Sequence, residues 1–481
     1  MTLLAQPRTL AGPSHHNNAA PDALRARRER QTAQGHNVSR AQEYLSAFVS
    51  EPDSRGTFKI LWSSLFAIFA CTWTTQHLNV PEQRSGRNPG WKGDIWWGLK
   101  DAYGSLKLAL ITVIMPEVVI AVACSDLIAA RADHSDMKRE FGHDPVPWTL
   151  SHSYYANMGG FVISAAKSEH HLPGSGTPAA EPSVCANKRY KCYHLTAKCI
   201  LNLRRMGYLE SFPLLTEEEL DDKSKGDALI KAIAVAQILW TITEILARAT
   251  QGLAVSLLEI TVLAYAACAV AVYALYWRKP KNIRTAMVVL KYLDDIPEPV
   301  LSAAQTGLAN ENLASYLFFD VARNSDLRRR SKRPAGSPIS PLALHAIVRK
   351  SGGALPGMAI PIVGYAATTL FGAVHLTTWN FHFPTTADQT AWKCASLYAT
   401  ILGPLLISTI VLLALVKDKL PRALTTTKLD VEKLNRAVHG VLSLGYILAR
   451  LLMSVEIIRT FLYLPPSAFV DTWASNIPHF S

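Results

Sequence analysis

From Leu253 to Trp277 the chain is apolar except for Ser256, Glu259 and Thr261, and the run closes on Tyr273, Tyr276, Trp277, Arg278, Lys279 and Pro280. A helix rises about 1.5 Å per residue, so a run of about 25 residues is long enough to cross the roughly 30 Å of hydrocarbon in a bilayer. The aromatic end suits a membrane interface, the basic pair an aqueous flank, and the proline a helix stop. Six more segments follow the same logic, giving expected spans at 57–77, 105–128, 229–248, 253–277, 356–379, 395–416 and 437–461. The expected fold class is all-α: a polytopic membrane helix bundle with about seven transmembrane helices and long cytosolic loops. With 49% hydrophobic and only 18% charged residues, the chain is too apolar for a soluble protein with loops this polar. Collagen-like, mostly disordered and disulfide-scaffold readings fall away with it.

The third span holds Lys231, Gln237, Glu244 and Arg248, so it either packs inside the bundle or does not cross. Charge favours keeping it. With seven crossings, the N-terminal segment and loops 131–228, 278–355 and 417–436 share one side and carry 7, 12, 13 and 6 Lys or Arg, against 4, 0, 1 and 0 on the segments opposite. The positive-inside rule then puts the N-terminus in the cytosol and the C-terminus in a lumen or outside, although it weakens for long loops.

The expected organisation runs from a disordered cytosolic region over 1–56 to two spans in 57–130. A cytosolic loop with short amphipathic helices covers 131–228, a hairpin of spans 229–277 and a basic cytosolic linker 278–355. Three spans in 356–461 and a lumenal or extracellular tail over 462–481 complete it. The first 56 residues lack an apolar core, so no cleavable signal is expected, and the first span targets the chain to the endoplasmic reticulum or another secretory-pathway membrane. Within 131–228, residues 151–163 suggest an interfacial or re-entrant element, His194–Met206 an amphipathic helix, and Thr216 a helix cap. No cluster resembles a nucleic-acid module, so the expected partner is the lipid bilayer and not nucleic acid.

Ionisable groups inside spans are the candidate chemistry, because burying them is costly unless they are paired or used. Pro116-Glu117 breaks the second span's regularity and sets an acid at membrane depth, where a carboxylic acid can serve as a general acid. Its bland alternative is a hydrogen bond to a neighbouring helix. Glu244 and Arg248 are spaced as an i, i+4 ion pair. Glu259 lies across the short 249–252 turn from Glu244, so the two acids can approach and share a proton. His375 and Trp379 are four apart on one helix face with His382 beyond, suited to accepting a proton and shielding a cation; they serve equally as interfacial belt and cap. His77, His375 and His382 have no close ligand spacing, so neither a metal nor a cofactor is expected. Glu456 and Arg459 are expected to satisfy one another, and Arg450 to snorkel or pair inward.

Several stretches carry a resemblance: Asp222-Lys-Ser-Lys-Gly-Asp-Ala-Leu-Ile-Lys-Ala, Gln237-Ile-Leu-Trp240, Leu258-Glu259-Ile-Thr-Val-Leu-Ala-Tyr265, Trp73-Thr-Thr-Gln-His77, Gly372-Ala-Val-His375 and Trp379-Asn-Phe-His382. Together they resemble a large fungal family of multi-pass membrane proteins, some members of which are linked to secondary metabolism. That resemblance implies an integral membrane meroterpenoid cyclase, an isomerase acting on an epoxidised, prenylated phenolic intermediate. Glu117, Glu244, Glu259 and His375 are then the expected catalytic groups. Trp379, Tyr265, Arg248 and His382 are the expected contacts to an apolar prenylated small molecule, and other pathway enzymes are expected in the same membrane. Glu244 and Arg248 depart from the family's pattern, which often shows a Gln and another basic residue there. A transporter of a small apolar metabolite, or a non-catalytic receptor or scaffold, remains the alternative.

Overall fold

The computed structural model describes residues 49, 55–83, 90–166, 190–224, 227–292, 296–305, 338–339, 355–419 and 428–473. The expected disordered N-terminal region and the basic run Arg328–Arg333 lie outside them, apart from Val49 and Arg55–Gly56 at the edge of the former. The chain is largely helical. Five helices are long and apolar enough to cross a membrane, or up to six if one bent pair counts as a single span.

In chain order the long helices are α1 (Thr57–Thr74), α2 (Gly90–Ile114) and α3 (Pro116–Phe141). After a short α4 (Leu150–Asn157), strands β1 (Phe161–Ala166) and β2 (Tyr190–Leu195), and short helices α5 (Ala197–Arg205) and α6 (Glu217–Asp222), come α7 (Asp227–Thr250) and α8 (Leu257–Leu275). Strand β3 (Met287–Tyr292) and α9 (Glu298–Gln305) lead to α10 (Leu355–Leu376), α11 (Thr386–Lys419) and α12 (Lys428–Phe461).

Two expectations change. The span expected at 105–128 is not one helix: α2 and α3 meet at Met115 with a bend of 112°. Pro116 has no N–H to continue the ladder and opens α3 as its first residue, a position where proline is well tolerated. The fold is also not purely helical. The three strands form one sheet in the order β2-β1-β3, with β1–β2 antiparallel and β1–β3 parallel. Residues 151–163, expected at the membrane interface, instead build α4 and β1, and their side chains are buried in a compact core with Trp148, Leu195, Leu203 and Phe212. The apolar run there is short because it fills a small domain. Gly160 admits no side chain, since a Cβ would stand 2.4 Å from the Tyr155 ring. The Thr216 cap read from sequence is present, in a capping box with Glu219 on α6, whereas the helix expected from His194 starts only at Ala197, with Thr196 as its cap and His194–Leu195 in β2.

The contacts sort the helix ends into two faces. On the sheet face, Val80 N–H bonds Met158 O at 3.0 Å, Lys281 Nζ reaches Thr74 O at 2.5 Å, and Lys279 pairs with Asp126 at 2.7 Å. At the opposite face, Arg55 N–H bonds Phe469 O at 2.9 Å, and Arg248 donates to the carbonyls of Ala254, Ser467, Ala468 and Val470. Arg55 therefore lies at the end of the bundle opposite Lys279, Lys281 and the sheet, whereas the expected seven spans would set it beside them. Between α10 and α11 the backbones nearly touch: a Cβ on Gly403 would lie 2.2 Å from Tyr365 O, the close approach that small residues permit between membrane helices.

Candidate functional site at the helix break

The break at Met115 strands the carbonyls of Val113 and Ile114 inside the bundle, where an unpaired backbone group costs a few kcal/mol. Arg450 of α12 meets that need, with Nε 3.2 Å from Ile114 O and a terminal nitrogen 3.4 Å from Val113 O. The Tyr265 hydroxyl of α8 also donates to Val113 O, and Arg450 approaches that hydroxyl at 3.5 Å. On its other side the Arg450 guanidinium lies 3.8 Å from the ring centre of Phe371, a cation–π contact. A cation in a membrane core is thus held by carbonyls, a phenol and an aromatic face.

Two residues past Met115, Glu117 is 1% exposed and neither carboxyl oxygen has a formed hydrogen bond among the described residues. It lies in the first turn of α3, at the positive end of that helix. Arg450 acts on it through its charge and the buried Tyr446 hydroxyl as a hydrogen-bonding neighbour, although neither the Glu117 carboxyl nor Tyr446 Oη has a formed hydrogen bond among the described residues. An acid, a phenol and a guanidinium so placed can hold and pass a proton. A cavity bordered by Cys71, Thr112, Pro116 and Tyr265 adjoins the break and has room for about one water.

His375 extends the cluster. Its ring stacks on Phe371 at 4.7 Å, and Phe371 meets Tyr265 edge-on at 5.5 Å. The Nδ1–H donates to Phe371 O at 2.8 Å, so in a neutral ring Nε2 is the acceptor nitrogen; it lies 3.4 Å from the Thr261 hydroxyl, whose own proton goes to Leu257 O. Trp379, expected on this face, is instead 40% exposed beneath Lys393 Nζ at 5.1 Å, and His382 is exposed. The aromatic that faces His375 is Trp392 of α11, fully buried 5.8 Å away and anchored by its N–H to Thr378. The helix ends near Leu376, so the i, i+4 spacing from His375 to Trp379 no longer keeps a common face.

The second expected acid pair is real but differently used. Glu244 and Glu259 do converge, around Arg55, whose terminal nitrogen is 2.9 Å from one and 2.6 Å from the other. Glu259 also accepts from the N–H and the hydroxyl of Ser256, closing a capping box on α8. Burial alone would lower the Arg55 pKa, and the charges of Glu259 and Glu244 more than offset it, holding the group above its ordinary value. Repulsion between the acids is thus answered by a cation, not by a shared proton. Arg248 does not hydrogen-bond to Glu244; it donates instead to the carbonyls of Ala254, Ser467, Ala468 and Val470. These residues tie α1, α7, α8 and the segment after α12 together, and we assign them to architecture. Likewise Arg459 pairs with Asp388 at 2.8 Å, nearer than its expected partner Glu456 at 3.8 Å.

Sequence reasoning found Glu117, Tyr265 and His375 but gave Arg450 no partner and passed over Phe371, Tyr446 and Trp392. The available signal was Arg450 itself, a lone cation in the middle of the span over 437–461. Among the described residues no three His, Cys, Asp or Glu gather as a metal site.

Residues 33–307 match a family of unknown function (DUF8562), and, with more than half its length matched, the chain belongs to that family. The matched part contains Glu117 and Tyr265, whereas Phe371, His375, Tyr446 and Arg450 come from outside it. No curated protein and no solved structure matches the chain.

Proposed function

We propose that this DUF8562 member is an integral membrane isomerase of the secretory pathway, in which Glu117 starts an acid-initiated cyclisation of an epoxidised, prenylated substrate delivered from the bilayer. One observation carries the reading: a fully buried carboxyl with no hydrogen-bond partner among the described residues stands at a helix break, beside a phenol and a guanidinium. In the proposed cycle the Glu117 proton passes to the epoxide oxygen as the ring C–O bond breaks. An alkene of the same chain then closes on the resulting carbocation, with the faces of Phe371 and Tyr265 beside it. Loss of a ring-adjacent proton to His375 Nε2, and its return to Glu117, leaves a product isomeric with the substrate. Because the adjoining cavity holds about one water, a fifteen-carbon chain enters only if the helices around Pro116 part.

The test is direct. Purified, folded protein incubated with prenylated epoxides should yield a cyclised isomer, and Glu117→Gln should abolish it while keeping the thermal transition. Failure of folded wild-type protein to consume any such epoxide would reject the reading.

A second reading rests on the break itself. Broken helices at mid-membrane line the binding sites of many secondary transporters, and Glu117 would then be a proton-coupling carboxyl for an apolar metabolite. Proteoliposome uptake that depends on a proton gradient and on Glu117, with no isomer formed, would select it.

A further inference from the structure

We infer that α2 and α3 form a re-entrant hairpin, entering the membrane from the sheet face and returning to it, with an aromatic stripe on α2 seated at the boundary between headgroups and acyl chains. The inference is independent of the catalytic reading. It begins with where the two ends of the pair are held. Just ahead of α2, Val80 bonds Met158, and Gln83 bonds both Arg284 O at 3.1 Å and Ala286 N–H at 3.1 Å, all in or next to the sheet domain. Lys100, three turns into α2, pairs with Glu82 at 3.3 Å. At the other end of the pair, Asp133 accepts from Asn157 at 2.9 Å and Met137 is buried in the sheet domain's core. A broken span would deliver its two ends to opposite faces, and these go to one.

The tip lies at about half depth. Its carbonyls are held by Arg450 and Tyr265, which sit near the middle of the apolar windows 437–461 and 257–275. From Pro116 to Asp126, which pairs with Lys279 just past the end of α8, helix rise is about 15 Å, half of a roughly 30 Å hydrocarbon core. A hairpin reaching the middle and folding back through 112° leaves α2 oblique to the bundle.

That posture explains the α2 surface. Trp91, Ile95, Trp96, Leu99, Tyr103 and Leu106 fall on one stripe and are all between 55% and 70% exposed, while Lys92, Asp94, Lys100 and Asp101 interrupt any fully apolar circumference. Tryptophan and tyrosine with flanking lysine is the composition of a membrane interface, and an oblique amphipathic helix with its apolar side down is how such a stripe is covered. The occupant is lipid, because the stripe continues through the exposed Leu110, Val113 and Ile114 to the helix break, and the lysine that shares its face, Lys92, sits at the outer end beside Trp91.

Acceptor cassettes for N-linked glycosylation, inserted after Gln83, after Gly142 and at the N-terminus, test the path of the chain in microsomes. We expect the first two to share one state and the third to take the other. Opposite states after Gln83 and Gly142 would overturn the hairpin. Nitroxides at Trp96, Tyr103 and Leu110 in reconstituted protein test the stripe: collision with oxygen should rise from 96 to 110 and collision with an aqueous nickel reagent should fall. Labels at 96 and 103 that are as open to nickel as one at His143 would remove lipid as the occupant.

Discussion

Arg450 on the last helix holds the carbonyl of Ile114 at 3.2 Å, and so closes a break that a proline opened more than three hundred residues earlier. One side chain serves both as the missing backbone donor and as the charge facing Glu117. Its removal should therefore be felt twice.

Arg450→Met strands the Ile114 carbonyl, leaves Val113 O to Tyr265 alone and removes the charge facing Glu117, and each buried polar group left unpaired costs about 1–3 kcal/mol. We expect a large fall in thermal stability in detergent. Adding Glu117→Gln should recover part of it, since the double variant no longer buries an unanswered acid, and a double-mutant cycle on the melting transitions measures that coupling. Strict additivity would mean that Arg450 acts on the backbone alone.

At the opposite face, Arg55→Leu leaves Glu259 buried and unanswered, and should also destabilise by about 3–5 kcal/mol. Glu244→Gln should lose only about 1–2 kcal/mol, because that side chain is 20% exposed and water replaces part of what Arg55 supplied. The proposed isomerase activity, per folded molecule, should not change in Glu244→Gln. A selective loss of turnover there would return the pair to the list of catalytic groups.

Tyr155 in the sheet domain gives a signature in alkali. Burial pushes its hydroxyl up to about 12, against about 10 for an exposed tyrosine. Below pH 10 the group is neutral in both states and its contribution is constant. Between about pH 10 and 12 the unfolded chain loses the proton first, so stability should fall as pH rises across that window. Tyr155→Phe should flatten this slope, read from chemical denaturation followed by tryptophan fluorescence at several pH values.

Two observations assign the sheet face to different compartments. The connection over 417–436 is short and carries six Lys or Arg, which favours the cytosol. Cys192 on β2 is disulfide-bonded, and such bonds are rare there. We give precedence to charge, because it acts at insertion, before the sheet exists to bring cysteines together. The expected result is an unmodified acceptor after Gly142 and a glycosylated one at the N-terminus. Glycosylation after Gly142 would reverse this assignment in favour of the disulfide.

The membrane character of the chain was legible because an apolar run of about 20 residues has one dominant use. The path of the chain at Pro116 was not, since a proline reads equally as a kink within a span or as its end, and the evidence on it lies in distant bonds such as those of Gln83, Lys100 and Asp133. The sheet escaped notice for a related reason. Phe161–Ala166 and Met287–Tyr292 are too short to declare themselves and lie more than a hundred residues apart, beyond the reach of local periodicity. Glu117 stood out because an acid among aliphatic residues is conspicuous. Phe371 and Tyr446 did not, because aromatics in membrane helices are ordinary and their role comes from what they touch. Trp379 was set beside His375 by helical spacing, which fails where a helix stops, and Trp392 lies on another helix beyond the reach of that spacing.

The parallel pairing of β1 with β3 has a consequence for synthesis. Both α7 and α8 lie between these strands in the chain, so β1 must wait, unpaired on that side, until the hairpin has left and rejoined its face. If that hairpin is misplaced, β3 emerges in the wrong compartment and the sheet never closes. Completion of the small domain thus reports that two helices have been threaded properly, and an exposed β1 edge marks chains in which they have not.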